Sequence, residues 1–113
     1  MATDPYLLDR LRQALKNRNV IWQEKKMFGG DCFMVEDKMC FGTFLNGLMV
    51  RVGHDAVDES IQRLGASQMM QKERPMKGYL FIEPEGYDTD EDLTYWVDKC
   101  LAFNPLANAS KKK

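Results

Sequence analysis

The sequence has almost no net charge: 16 Lys and Arg stand against 17 Asp and Glu, with one histidine, leaving -1 at pH 7. A surface with no dominant sign offers no field to hold a polyanion, so direct nucleic-acid binding and attachment to an anionic membrane are disfavoured. Cysteine is scarce as well. Cys32, Cys40 and Cys100 are odd in number and lack a C-x-x-C spacing. That argues against a disulfide framework and against a structural zinc site, and leaves buried, reduced thiols as the expectation. No apolar run approaches the roughly 18 residues of a membrane span. Asp4, Asp9 and Arg10 break up the N-terminal leucines where a signal peptide would need an unbroken core, so the expected location is the cytoplasm. No catalytic residue, metal ligand or cofactor is assigned.

What is present suits one domain covering residues 1–113, with a tail from about 105 to 113 expected to fray. The 44% apolar fraction is enough for a single modest core. Thr3-Asp4-Pro5 places a capping side chain before a proline, and Leu7, Leu8, Leu11 and Leu15 follow at helical spacing, which predicts a helix over Pro5 to Asn17. Val20 to Met27 reads as extended, and Gly29-Gly30 as a turn or bulge. Between Asp31 and Val52, three short apolar runs are separated by Glu36-Asp37-Lys38 and by Asn46-Gly47. That pattern is an antiparallel meander. Asp55 to Leu64 changes to helical period, with Gly65 at its end. Ala66 to Arg74 fits either an edge strand or a loop. Tyr79 to Ile82 is a strand stopped by Pro84 and Gly86. Thr89 followed by Asp90-Glu91-Asp92 opens a last helix over Asp90 to Phe103, whose stripe is Leu93, Trp96, Val97, Cys100 and Leu101. Asn104-Pro105 stops it. The fold class is therefore α+β in two layers, an antiparallel sheet with helices on one face. The order is helix, three or four strands, helix, one or two strands, helix.

Turn placement fixes which side chains share a face. A two-residue loop at Asn46-Gly47 sets Thr43 opposite Val50 and Phe41 opposite Val52. A three-residue loop at Glu36-Asp37-Lys38 sets Val35 opposite Met39 and Phe33 opposite Phe41. One face then carries Phe33, Val35, Met39, Phe41, Val50 and Val52, the seat for the helices. The other carries Cys32, Met34, Cys40, Phe44 and Met49, with Arg51 as its main charge. Clean polar alternation is missing from that second face. Three readings remain open for it: a covering segment, scattered surface apolarity, or docking of a second copy or a protein partner. Met34, Phe44, Met49 and Arg51 are the candidate interaction face.

The polar candidates have plainer explanations. His54, between Gly53 and Asp55, suits a surface or capping position better than catalysis. Gly29-Gly30 lacks the remaining glycines and the Lys-Ser/Thr of a phosphate loop. Asp88, Asp90, Glu91 and Asp92 lack the glycine and terminal glutamate of a calcium loop, so helix capping accounts for them. Arg74 and Lys77, flanking Pro75-Met76, make a basic stretch read as a loop that either meets an anion or is simply solvated.

The ordered set Lys26-Met27-Phe28-Gly29-Gly30, Lys38-Met39, Leu48-Met49-Val50-Arg51-Val52, Arg74-Pro75-Met76-Lys77-Gly78-Tyr79 and Leu93-Trp96-Val97 resembles the TfoX/Sxy N-terminal domain family of bacteria. Its sharpest pieces are Met27-Phe28-Gly29-Gly30 and Pro75-Met76-Lys77-Gly78. The resemblance implies a two-layer α+β domain similar to secretion-chaperone-like folds, and it supplies no catalytic residues. Family members named for competence regulation act in control of DNA uptake with a cyclic-AMP-receptor type activator. They usually carry a second, helical domain, for which 113 residues leave no room. Where the family generally has glycine before Lys-Met, this chain has Glu36-Asp37.

Two functions follow as expectations. One is a non-enzymatic cytoplasmic protein-interaction module contributing to transcriptional regulation, whose partner is a transcription regulator or a second copy. The alternative is a small anionic-ligand binder or enzyme using Arg51, Arg74 and Lys77.

Overall fold

A computed structural model describes residues 5–27, 30–44, 47–71 and 73–106. Helix α1 (Pro5–Asn17) leads into β1 (Gln23–Met27), β2 (Gly30–Val35), β3 (Lys38–Phe44) and β4 (Gly47–Arg51). A 3-10 turn (His54–Ala56) and the single-turn α2 (Val57–Ser60) precede β5 (Ala66–Gln71) and β6 (Arg74–Ile82), and α3 (Asp90–Phe103) closes the order. All six strands form one antiparallel sheet in the order β1-β2-β3-β4-β6-β5. The predicted α1 and α3 are found at their predicted bounds. Leu7, Leu11 and Leu15 are the buried stripe of α1, and Leu93, Trp96, Val97 and Cys100 that of α3. Thr89 caps α3 as expected, its Oγ1 accepting from the Asp92 amide at 3.1 Å. The expected cap at Thr3-Asp4 lies outside the described residues.

The helices cover one face of the sheet. There Phe33, Phe41, Leu48, Val50, Leu80 and Ile82 pack under the leucines of α1 and the stripe of α3. Trp96 is fully buried, and its indole N–H donates to the Gly86 carbonyl at 3.0 Å, so the largest core side chain leaves no polar atom unpaired. Arg18, just past the end of α1, reaches Asp98 of α3 at 2.6 Å and ties that end to α3 at the surface.

The register departs from expectation at both hairpins of the meander. Glu36 and Asp37 both take positive φ, 55° and 65°, so the first turn has two residues and Val35 pairs with Lys38 rather than Met39. Met34 then pairs with Met39, while Phe33 still pairs with Phe41, so Cys40 is the extra residue of a bulge. The bulge exchanges two expected positions: Cys40 joins the helix-side core and Met39 the opposite face. In the second hairpin the pairs are Phe41 with Val50 and Thr43 with Leu48, two residues away from the expected register. Gly47 is therefore a strand residue; Leu45 and Asn46 lie outside the described residues. Because the shift is even, every side chain in that hairpin keeps its expected face.

Two glycines expected in turns instead sit inside strands for want of room. A Cβ on Gly30 would come 2.0 Å from the Thr43 carbonyl oxygen, and one on Gly47 would come 2.5 Å from that of Ile82. Both sites need a close backbone approach rather than an unusual φ.

The predicted second helix is cut to one α-turn. Gly65, with φ of 82°, packs against the Gly86 backbone, and its carbonyl accepts from the Glu83 amide at 2.9 Å, which turns the chain into β5. Leu64, expected on a buried helix face, is 69% exposed.

Ala66 to Gln71 resolves as a strand. The Arg74 to Gly78 stretch, read as a loop, belongs to β6. Between the pairs Gln68–Leu80 and Met70–Pro75, one residue of β5 faces four of β6. The Gln68 side-chain amide fills the gap, donating to the carbonyls of Met76 (2.9 Å), Tyr79 (3.3 Å) and Met69 (2.9 Å). Gly78 supplies the positive φ of 84° that this wide bulge requires, and its carbonyl takes the amides of Val52 and Gly53 at 3.0 Å each.

Candidate functional site

The sheet face away from the helices is the expected docking surface. It carries Cys32, Met34, Met39, Met49 and Met69 as a second buried cluster, with Phe44, Met76, Tyr79 and Phe81 partly buried around it. Met49 is 0% exposed. Among the described residues, every side chain of this cluster comes from the strands β2 to β6. The two bulges bend the sheet, and the bulged β5–β6 ribbon brings Met69 and Met76 onto the cluster. Of the candidate interaction residues, Met34 and Met49 are buried and Phe44 is half-buried, its ring edge-on to Phe81 with centroids 6.1 Å apart. Arg51 is half-buried too. Its guanidinium lies 5.5 Å from the Tyr79 ring and 5.7 Å from the Phe103 ring, with Nη1 donating to the Met39 carbonyl at 3.4 Å.

An open groove lies at the end of the sheet where three connections meet, and Met34 of the candidate interaction face is among its lining residues. It encloses about 610 Å³ between the segment joining α1 to β1, the turn joining β2 to β3, and the C-terminal end of α3. That volume is in the usual range of ligand sites, about 300–1,000 Å³. The walls are apolar, formed by Val20, Ile21, Trp22, Val35 and Leu101, and the carboxylates of Glu36 and Asp37 stand among the lining residues.

Local structure explains why these residues meet. Asn19, at φ of 57°, ends α1, and the amides of Arg18, Asn19 and Val20 close onto carbonyls of its last turn. The chain then passes Ile21 and Trp22 before entering the edge strand β1. Ile21 is 89% exposed, the most exposed of the large apolar side chains described. Trp22 is held in place: its Nε1 donates to Glu24 at 3.0 Å, and Glu24 accepts two bonds from Arg12, at 2.8 and 2.9 Å. This two-pronged pairing is a geometrically specific one. The Arg12 hydrogen bond holds the Glu24 carboxyl below its ordinary pKa against the opposing effect of burial, and the Trp22 hydrogen bond adds a lesser lowering.

The α3 side contributes Asn104. Its Nδ2 donates to the Val35 carbonyl at 3.1 Å, fastening the end of α3 to the end of β2. The Lys38 ammonium donates to the backbone carbonyls of Asn104 (3.2 Å) and Pro105 (3.4 Å). Asn104 is 4% exposed, and its Oδ1 has no hydrogen-bond partner among the described residues. A buried acceptor left in that state costs about 1–3 kcal/mol.

The remaining sequence candidates are dispersed. Arg74 and Lys77 are exposed on β6, and neither they nor Arg51 line the groove. Of the motif residues, Phe28 and Gly29 lie outside the described residues, Met27 pairs with Gly30, Pro75 pairs with Met70, and Met76, Lys77 and Gly78 lie in the wide bulge. His54 is exposed in its 3-10 turn. Cys32 and Cys100 are buried thiols. Burial, with a smaller effect of Asp31, pushes Cys32 up from 9.0 to about 11, and burial together with contact with Cys40 raises Cys100. No group of three or more His, Cys, Asp or Glu among the described residues is placed to hold a metal ion. No described helix is long and apolar enough to cross a membrane.

Sequence reasoning did not single out Ile21, Trp22, Glu36, Asp37 or Asn104 as a set. The one local signal was an Ile-Trp pair in an extended segment without alternation. Asn104-Pro105 read only as a helix stop.

Comparison with known protein families gives a match over most of the chain. The family described as the TfoX N-terminal domain matches residues 21–104, from Ile21 in the groove wall through both glycine-bearing segments to Asn104. No curated protein and no solved structure matches the chain.

Proposed function

The chain belongs to the TfoX N-terminal domain family, and from that premise we propose that it is a non-enzymatic, cytoplasmic protein-interaction module contributing to transcriptional regulation. The resemblance to competence regulators, which act beside a second protein, supports a protein partner over a substrate. The observation that carries the reading is the groove. Its aromatic wall is fixed by the Arg12–Glu24–Trp22 chain of hydrogen bonds, and Ile21 extends its apolar surface into solvent. An anchored aromatic beside an exposed aliphatic residue is the composition of protein-contact patches.

The methionine face supports this role less well, because Met34 and Met49 are buried. Met49→Asp would test folding rather than binding. Ile21→Asp is the cleaner variant, since the side chain is already in water. Affinity capture with wild type and Ile21→Asp as baits is expected to retain a protein on the wild type alone. Size-exclusion chromatography with light scattering reports whether that protein is a second copy. A monomeric wild type that captures nothing beyond what Ile21→Asp captures would sink the reading. Thermal stabilisation by phosphates, nucleotides or carboxylates at saturation would favour the anion-binding alternative instead.

A further inference from the structure

We propose that the groove accepts a basic segment of a protein partner, a stretch in which a Lys or Arg stands beside an aliphatic or aromatic residue. This rests on the interaction-module reading and names the chemistry of the partner. The groove lining contains Glu36 and Asp37 and no Lys or Arg. The Lys38 ammonium donates to the backbone carbonyls of Asn104 and Pro105, which line the groove, so one positive charge stands against the two carboxylates and the balance stays negative. Charge complementarity therefore selects a cation.

Two further features agree. Trp22 presents an aromatic surface of the kind that attracts an ammonium or guanidinium, and its hydrogen bond to Glu24 holds it in place before any ligand arrives. The apolar anchor has its own place, because Val20, Leu101 and the exposed Ile21 continue the wall outward from the cavity. An extended peptide can run along that strip, and a small amine would leave Ile21 uncovered.

The test uses the full chain labelled with ¹⁵N and two probes, acetyl-Leu-Arg-Leu-Lys-amide and acetyl-Leu-Glu-Leu-Glu-amide. Trp22 and Trp96 are the only tryptophans, so two indole signals separate groove from core. The basic peptide is expected to move the Trp22 indole and the Val35 and Leu101 amides while Trp96 stays fixed; the acidic peptide is expected to move none. Trp22→Ala and the pair Glu36→Asn with Asp37→Asn should each weaken binding about tenfold or more. Asparagine tolerates the left-handed backbone at 36 and 37, so that variant keeps the turn, and an unshifted Trp96 signal confirms its fold.

Equal responses to both peptides, no response at saturation, or full affinity in both variants overturns the proposal. Movement of the groove signals with protein concentration alone makes the occupant a second copy and also overturns it. If these arms fail while affinity capture still yields a partner dependent on Ile21, the interaction module stands and the basic-segment chemistry falls.

Discussion

The two faces of the sheet are buried by different means. On the helix side, leucines of α1 and the Trp96 stripe of α3 cover Phe33, Phe41, Val50 and Leu80, so one layer of secondary structure shields another. On the other side, Cys32, Met34, Met39, Met49 and Met69 are enclosed by strands that bulge and bend. Four of the chain's eight methionines lie in that cluster. Unbranched thioethers suit it, because a face closed by irregular strands has uneven gaps that flexible side chains can fill. An apolar second face is thus no proof of a docking surface: among the described residues, bulged strands supply every side chain that packs on it.

The contrast can be broken first at its largest difference. Trp96→Ala removes a fully buried indole from the helix side and should cost about 3–5 kcal/mol, whereas Met49→Leu should cost less than about 1.5 kcal/mol because the methionine side adapts. Urea denaturation of the two variants measures both, and equal losses would erase the distinction. Cysteine titration comes next, since Cys32 lies in the methionine cluster and Cys100 in the helix-side core. Both thiols are raised in the folded chain, Cys32 to about 11, so the unfolded chain ionises first. Stability is then full below pH 9 and falls as pH rises toward 11. Cys32→Ala should remove part of that slope and Cys100→Ala another part, as read from melting temperature against pH.

The bulge on the methionine side offers a smaller lever. Gly78→Ala places a side chain at φ of 84° and should cost about 1–2 kcal/mol, with the loss visible in chemical denaturation. The smallest expected effect is a gain. Glu36→Asn with Asp37→Gly fits the two-residue turn better than the native pair and should raise stability by about 1 kcal/mol.

What could be read from the sequence was local. The bounds of α1 and α3 followed from an apolar stripe and flanking signals within a few residues, and both matched. Face assignments survived in the second hairpin because its register shift was even. They failed at Met39 and Cys40 because Glu36 joins Asp37 in a left-handed backbone that glutamate rarely adopts, and the compensating bulge is invisible without the partner strand. The wide bulge of β6 was hidden for a similar reason. It depends on Gln68, a side chain from another strand, to satisfy three carbonyls. The groove was the least legible, since Trp22, Glu36 and Asn104 are far apart in the chain and meet only when α3 docks on β2.

The central claim is that the methionine face is a closed core rather than an open docking surface, and peroxide oxidation followed by peptide mass mapping tests it most directly. Met70, 45% exposed, should oxidise readily, with Met34, Met39, Met49 and Met69 protected until the chain unfolds. Oxidation of Met34 and Met49 in the folded protein at the rate of Met70 would contradict the account.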